Sequence, residues 1–321
     1  MMDQHTAEQA LEALRELHIG TDRDAEAASH IERLFEKDAA GHRTPVAKRF
    51  TKTRETRGVM VIGEPGSGKS HLVNRTLDKL PMLRPQEDGT PRYIGCVVPS
   101  PATFKSMMGE LLKVSGYPVQ SKRQEAWSLF QDLRYRLAEL EISVIWIDEA
   151  QDLFCADRNL ILRALKSLMQ GEHAITIILS GTKDLATVIR SDQQVKRRFT
   201  SIVLPELTEQ SDGENFCQIM EHYCQRVEVH APMETDLVGR VFHGARYCFG
   251  RAVELLLLAL EFAIENEDSH LEIGHFASAY AMQESCSASE NVFFVEHYWL
   301  IETDPEEDEK PRRTSRNRRA T

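Results

Sequence analysis

Residues 57–63, Arg-Gly-Val-Met-Val-Ile-Gly, are a short apolar run ending on glycine, and the chain continues Gly63-Glu64-Pro65-Gly66-Ser67-Gly68-Lys69-Ser70. No other stretch constrains the fold so tightly. An apolar run of this length reads as a strand buried on both faces. The eight residues that close it match the phosphate-loop pattern G-x-x-x-x-G-K-[ST]. Polyphosphate has to be wrapped by backbone N–H groups, and side chains would obstruct that approach. Gly63, Gly66 and Gly68 permit the curved backbone. A helix beginning near Lys69 aims its positive end at the phosphates. Lys69 is expected to reach the β- and γ-phosphates of ATP and Ser70 to ligate Mg2+, with Gly63 through Ser70 and the adjacent His71 lining the nucleotide. A glycine-rich turn before an ordinary helix is the alternative, and the flanking strand and helix argue against it.

A second motif stands further along. Residues 143–149 read Ser-Val-Ile-Trp-Ile-Asp-Glu, a buried strand ending in adjacent carboxylates. In an open parallel sheet, ligands bind at the carboxyl ends of the strands. Asp148 is therefore expected beside the phosphate loop as a metal ligand, and Glu149 as the residue that orients and deprotonates the attacking water. The competing reading is an acidic cap on the next helix. An Asp-Glu pair also points to a glutamate-activated ATPase rather than a GTPase or a small-molecule kinase.

Strand and helix patterns alternate from residue 57 to 204, with strands near 93–98, 143–148, 174–180 and 202–204. Such alternation implies a parallel sheet covered on both faces. The expected fold is an α/β P-loop NTPase three-layer sandwich with a central five-stranded parallel sheet. After Pro205 the strand patterns stop, and residues 206–290 read as a helical lid whose clearest helix is Ala252 to Glu265. Residues 1–45 read as an amphipathic helical extension, with Leu11, Leu14, Leu17, Ile31, Leu34 and Phe35 at helical spacing. The domain boundaries expected are thus 1–45, 46–205, 206–290 and 291–321. The last segment ends in six carboxylates between Glu302 and Glu309, then one lysine and five arginines between Lys310 and Arg319, a composition expected to be disordered.

Three looser features surround the two motifs. Thr182 or Ser180, at the end of the fourth strand, is placed to hydrogen-bond the attacking water. Arg197 or Arg198, before the fifth strand, is placed to enter a neighbouring protomer's site and stabilise transition-state charge. Arg251 opens the strongest lid helix and is expected to touch nucleotide from that side.

The net charge of −11 opposes nonspecific association with nucleic acid or anionic membrane, though a local basic surface remains compatible with it. Six cysteines include no Cys-x-x-Cys pair, which reads as reduced thiols in a cytoplasmic protein. The polar, acidic N-terminus is no signal peptide, and the longest apolar stretch, Leu255 to Leu260, is too short to cross a bilayer, so no membrane partner is expected.

Together the motifs resemble an AAA+ ATPase over roughly residues 45–285. Within that group the chain looks most like the TniB/TnsC-type transposition ATPases, relatives of the phage MuB protein. The residues carrying this are the phosphate loop with His71, Val-Pro-Ser-Pro at 98–101 with the helix from Lys105 to Gly116, Ile-Asp-Glu-Ala-Gln at 147–151, and Leu-Ser-Gly-Thr at 179–182. The resemblance implies an ATP-dependent, magnesium-requiring homo-oligomer, a ring or helical filament on double-stranded DNA. It implies recruitment of a transposase, contact with a target-selection protein, and disassembly on hydrolysis. It also implies DNA contact after the second strand, where Lys105, Lys113, Lys122 and Arg123 stand ready to neutralise phosphates. A nucleotide-switch signalling or defence scaffold without DNA binding is the competing expectation.

Overall fold

The computed structural model describes residues 4–17, 20, 22–50, 52–117 and 123–303. In chain order the elements are α1 (Gln4–Arg15), α2 (Asp22–Glu32), β1 (Phe35–Lys37), β2 (Arg43–Ala47), β3 (Gly58–Ile62), α3 (Lys69–Lys79), β4 (Tyr93–Val97), α4 (Phe104–Val114) and α5 (Ala126–Glu139). They continue as β5 (Val144–Asp148), α6 (Ala150–Leu168), β6 (Thr176–Gly181), α7 (Lys183–Ser191), α8 (Gln193–Lys196) and β7 (Phe199–Val203), followed by α9 (Glu209–Arg226), α10 (Leu237–Gly244), α11 (Phe249–Glu265) and α12 (Ile273–Glu284). By contacts the chain divides into two compact units: His18–Glu206, and Met1–Leu17 together with Leu207–Thr321.

In the first unit five strands form one parallel sheet in the order β4-β5-β6-β3-β7. Every residue of β3 and β6 is buried, which is why β3 reads as an unbroken apolar run and β6 carries Ile177, Ile178 and Leu179 in succession rather than an alternating pattern. Side chains alternate across the sheet. Met60, Ile62, Ile145, Ile147, Ile177 and Leu179 face a core built with α4, α5, α6 and α7. Val59, Val61, Val144 and Ile178 face the opposite core, which Ile31 of α2 and Leu72, Val73 and Leu77 of α3 complete, with Trp146 packed against it. Burying each such leucine contributes about 1.5–3 kcal/mol. This is the expected three-layer sandwich.

Local chemistry sets the helix starts. Thr103 accepts from the backbone N–H of Ser106, and Ser106 Oγ accepts from the Thr103 N–H, a reciprocal cap on α4. The first N–H of α4 also donates to Asp157 Oδ2 at 3.2 Å. Asp157 sits where α6 leaves helical geometry (φ −118, ψ 40).

Two expectations are corrected. The amphipathic stretch to residue 45 is not helical throughout: α2 ends at Glu32, and Phe35 opens β1, which pairs antiparallel with β2. Phe35 is fully buried against the α2–α3 side of the sheet, and that burial fits a strand as well as the fourth position of a helical stripe. The fifth strand begins at Phe199, three residues before the run Ile202–Leu204.

The second unit is helical among its described residues. In it α1 packs on α11, and Arg15 donates to Glu261 Oε2 at 2.7 Å. The acidic and basic tail from residue 304 lies outside the described residues. No helix among them is long and apolar enough to cross a membrane.

Candidate nucleotide site

The loop from Gly63 to Gly68 joins the buried end of β3 to the first turn of α3. Gly66 and Gly68 adopt φ of +81 and +87, the left-handed region that glycine enters at no steric cost. Gly63 is needed for a different reason, since a Cβ there would lie 2.5 Å from Ser67 Oγ. That Ser67 hydroxyl is buried with no hydrogen-bond partner. Lys69 is 3% exposed, and its Nζ donates to the Glu64 carbonyl at 3.0 Å, so the ammonium folds back over its own loop. Glu64 also pairs with Lys183 of α7 at 2.9 Å. The hydrogen bond to Glu64 raises the Lys183 pKa. Ser70 and His71 are exposed on the first turn of α3.

Asp148 closes β5. The register explains how it meets a loop carried by a different strand. β6 lies between β3 and β5, with Ile62 opposite Gly181 and Ile147 opposite Leu179. The Gly63 N–H donates to the Gly181 carbonyl at 3.2 Å. One residue earlier, Ser180 Oγ donates to Asp148 Oδ1 at 2.5 Å and accepts from Trp146 Nε1 at 2.8 Å. The phosphate loop and the acidic strand are thus both hydrogen-bonded to consecutive residues at one end of β6. By alternation, Trp146 and Asp148 share the face of β5 on which α3 packs. Asp148 is 5% exposed and also accepts from the Glu149 N–H at 3.1 Å.

Glu149 is the N-cap residue of α6 but makes no side-chain cap hydrogen bond. The competing reading of the acidic pair as a helix cap therefore does not describe its side chain. Gln151 Nε2 donates to Glu149 Oε2 at 2.6 Å, and the Thr182 N–H donates to Gln151 Oε1 at 3.3 Å. Of the two expected water-binding residues, Ser180 is fully buried and committed to Asp148, while Thr182 precedes α7 as its N-cap residue. The part played by Gln151 was missed from sequence, although the residue stands in the Ile-Asp-Glu-Ala-Gln run.

The two arginines before β7 part company. Arg198 is 4% exposed and donates to Glu55 Oε1 at 2.6 Å and to the Lys166 carbonyl at 2.8 Å. A guanidinium so enclosed within its own chain cannot serve a neighbour, and the expectation for Arg198 is corrected on that ground. Arg197 donates to both oxygens of the same Glu55, at 2.7 and 2.9 Å, yet its side chain is 59% exposed. Arg251 is the third residue of α11, in the other unit.

Lys105 and Lys113 are exposed on α4, about 12 Å apart along the axis. Lys113 pairs with Glu110 at 3.2 Å. Arg123 is exposed before α5, and Lys122 lies outside the described residues.

The residues fit a magnesium nucleotide. The loop presents a glycine-permitted curve, an unpartnered buried hydroxyl and an enclosed lysine, and the neighbouring strand ends offer a carboxylate pair of the hard-oxygen type that magnesium takes. A parallel sheet in this order, with the phosphate loop on one strand and Asp-Glu two strands away, defines a nucleotide-binding ATPase of the AAA+ kind. The chain belongs to the TniB family: the family described as "Bacterial TniB protein" matches residues 19–209, more than half of the sequence.

Among solved structures, the chain is similar to the Orc1 protein of Aeropyrum pernix in complex with DNA, with TM-score 0.62 and 18% identity over 85% of this chain and 67% of that one. The Orc2 protein of the same organism, in ADPNP–ADP complexes, gives TM-score 0.56 and 16% identity over 83% and 71%. Cdc6p of Pyrobaculum aerophilum gives 0.52 and 15% over 72% and 64%. At such identities the likeness concerns the fold. No curated protein sequence matches the chain.

Proposed function

We propose that this protein is an ATP-dependent regulator of DNA transposition. It assembles on duplex target DNA as a ring or helical filament when ATP is bound, recruits and activates a transposase, and disassembles on hydrolysis. The observation that carries the reading is membership in the TniB family across the segment that holds both nucleotide motifs. The DNA-bound Orc1 relative supports it as a protein of the same fold.

In this reading the N–H groups of Gly63 to Gly68 wrap the phosphates, and Lys69 leaves the Glu64 carbonyl for the β- and γ-phosphate oxygens. Ser70 and Asp148 would hold magnesium, which when bound would supply positive charge against that of the phosphates. Glu149 takes a proton from the attacking water as its oxygen bonds to the γ-phosphorus and the bond to the β–γ bridging oxygen breaks. Thr182, the residue that follows β6, is assigned to hydrogen-bond this water. Arg197 of one protomer leaves Glu55 to stabilise charge in the site of the next, and Arg251 senses the nucleotide from the lid side. Lys105, Lys113, Lys122 and Arg123 meet DNA phosphates without reading bases.

The test is DNA binding with a non-hydrolysable ATP analogue on random-sequence duplex, at two salt concentrations, viewed by electron microscopy. Nucleotide-dependent filaments or rings, with affinity falling steeply as salt rises, are expected. Absence of DNA binding at low salt would replace this reading with the nucleotide-switch scaffold.

A further inference from the structure

Glu149 adopts φ 51 and ψ 40, a left-handed conformation that a glutamate rarely takes and that is strained. The side chain makes no cap hydrogen bond to the backbone of the helix it opens. What holds the carboxylate is the carboxamide of Gln151, two residues on, at 2.6 Å. The other end of that carboxamide is fixed by the Thr182 N–H. Both contacts demand one orientation. A carboxylate only accepts, so the NH2 group must face Glu149, and a backbone N–H only donates, so Oε1 must face Thr182. A glutamate at 151 would set an acceptor against an acceptor, and no shorter side chain spans both partners.

The end of β6 is shaped around this bridge. A Cβ on Gly181 would lie 2.4 Å from Gln151 Oε1 and 3.0 Å from Leu185 Cδ2. Asp148 is anchored separately, through Ser180. Residues 180, 181 and 182 thus govern both carboxylates, by two different side chains.

We propose that Gln151 is a positioning residue that fixes one oxygen of the Glu149 carboxylate and ties it to the N-terminus of α7, leaving the other oxygen to receive the proton of the attacking water. This rests on the reading of Glu149 as general base. The bridge couples that base to the segment following β6, so any shift of residues 180–182 when nucleotide binds moves the base with it.

The experiment measures kcat and KM for ATP on the full-length chain for Gln151→Ala and Gly181→Ala, each also combined with Glu149→Gln. Gly181→Ala keeps the amide in the sequence and displaces it sterically, so it tests the bridge even if Gln151→Ala folds poorly. Losing this hydrogen bond to the charged carboxylate that acts as the base is expected to lower kcat about 10- to 100-fold, with KM little changed. In the Glu149→Gln background neither change should slow single-turnover hydrolysis further, because the group they orient is already gone. Wild-type kcat in both single variants overturns the proposal, as does an undiminished further loss in the Glu149→Gln background. Normal turnover by Glu149→Gln alone would instead remove the general-base reading on which the proposal stands.

Discussion

Glu55 allows a quantitative test of how the two arginines differ. Its carboxylate is 7% exposed and receives Arg198, whose side chain is 5% exposed, and Arg197, whose side chain is 59% exposed. Glu55→Ala leaves the Arg198 charge buried with the Lys166 carbonyl as a partner, and Arg198 Nε is already without one. Breaking a buried pair from one side costs about 3–5 kcal/mol. Arg197→Ala removes an exposed, screened partner and is expected to cost about 1 kcal/mol or less. Replacing both buried partners, Glu55→Ala with Arg198→Met, is expected to cost clearly less than the sum of the two single changes. Urea unfolding read by tryptophan emission reports mainly on the relevant unit, which contains Trp127 and Trp146, and a Trp299→Phe background removes the signal of the other unit. The reasoning fails if Glu55→Ala costs under about 1 kcal/mol, or if Arg197→Ala is as damaging as Glu55→Ala. The small cost expected for Arg197 is also what its proposed function requires, since an arginine that must leave its own carboxylate for a neighbour cannot be held strongly.

Other expectations follow from the site. Lys69→Ala should abolish ATP binding measured by calorimetry while leaving the fold intact; unchanged affinity would defeat its assignment. Ser180→Ala removes a fully buried hydroxyl that links Trp146 to Asp148 and should destabilise the protein by about 1–3 kcal/mol, with altered tryptophan emission. Unchanged stability and emission would show that this link carries nothing. Burial, with minor help from Glu110 and Asp148, pushes the Cys96 thiol up to about 12. The unfolded chain then releases this proton from about pH 9 while the folded chain keeps it, so Cys96 lowers stability as pH rises from 9 towards 12. Replacing Cys96 with alanine should flatten this alkaline decline in melting temperature, and an identical decline in the variant would refute the assignment.

The parts of the fold that were legible in sequence are those that local chemistry dictates. The strand into Gly63, the loop and α3 are contiguous, and each residue type answers a local demand. The Asp148–Glu149 pair is likewise readable because a buried strand has to end before carboxylates can emerge. Strand order was not readable: nothing in residues 174–180 announces that β6 lies between β3 and β5, and so nothing announces that Ser180 would be occupied by Asp148. Arg198 misled because nothing beside it in the chain marks it as buried, and the carboxylate that neutralises it stands 143 residues earlier. Helical spacing showed that α1 has an apolar face, but its neighbour, α11, lies about 250 residues away, beyond the reach of any periodicity argument.

The sheet is unequal in what it permits. β3 is wholly buried and paired on both edges, whereas β4 has one edge unpaired among the described residues and Val97 is 59% exposed. The strand that delivers the phosphate loop is therefore the least free to shift, and compliance is concentrated at the margin from which α4 departs. Amide hydrogens of β3 and β6 are expected to exchange only on global opening, and those of β4 through local fraying. An inverted ranking in exchange mass spectrometry would mean that the rigid element lies elsewhere.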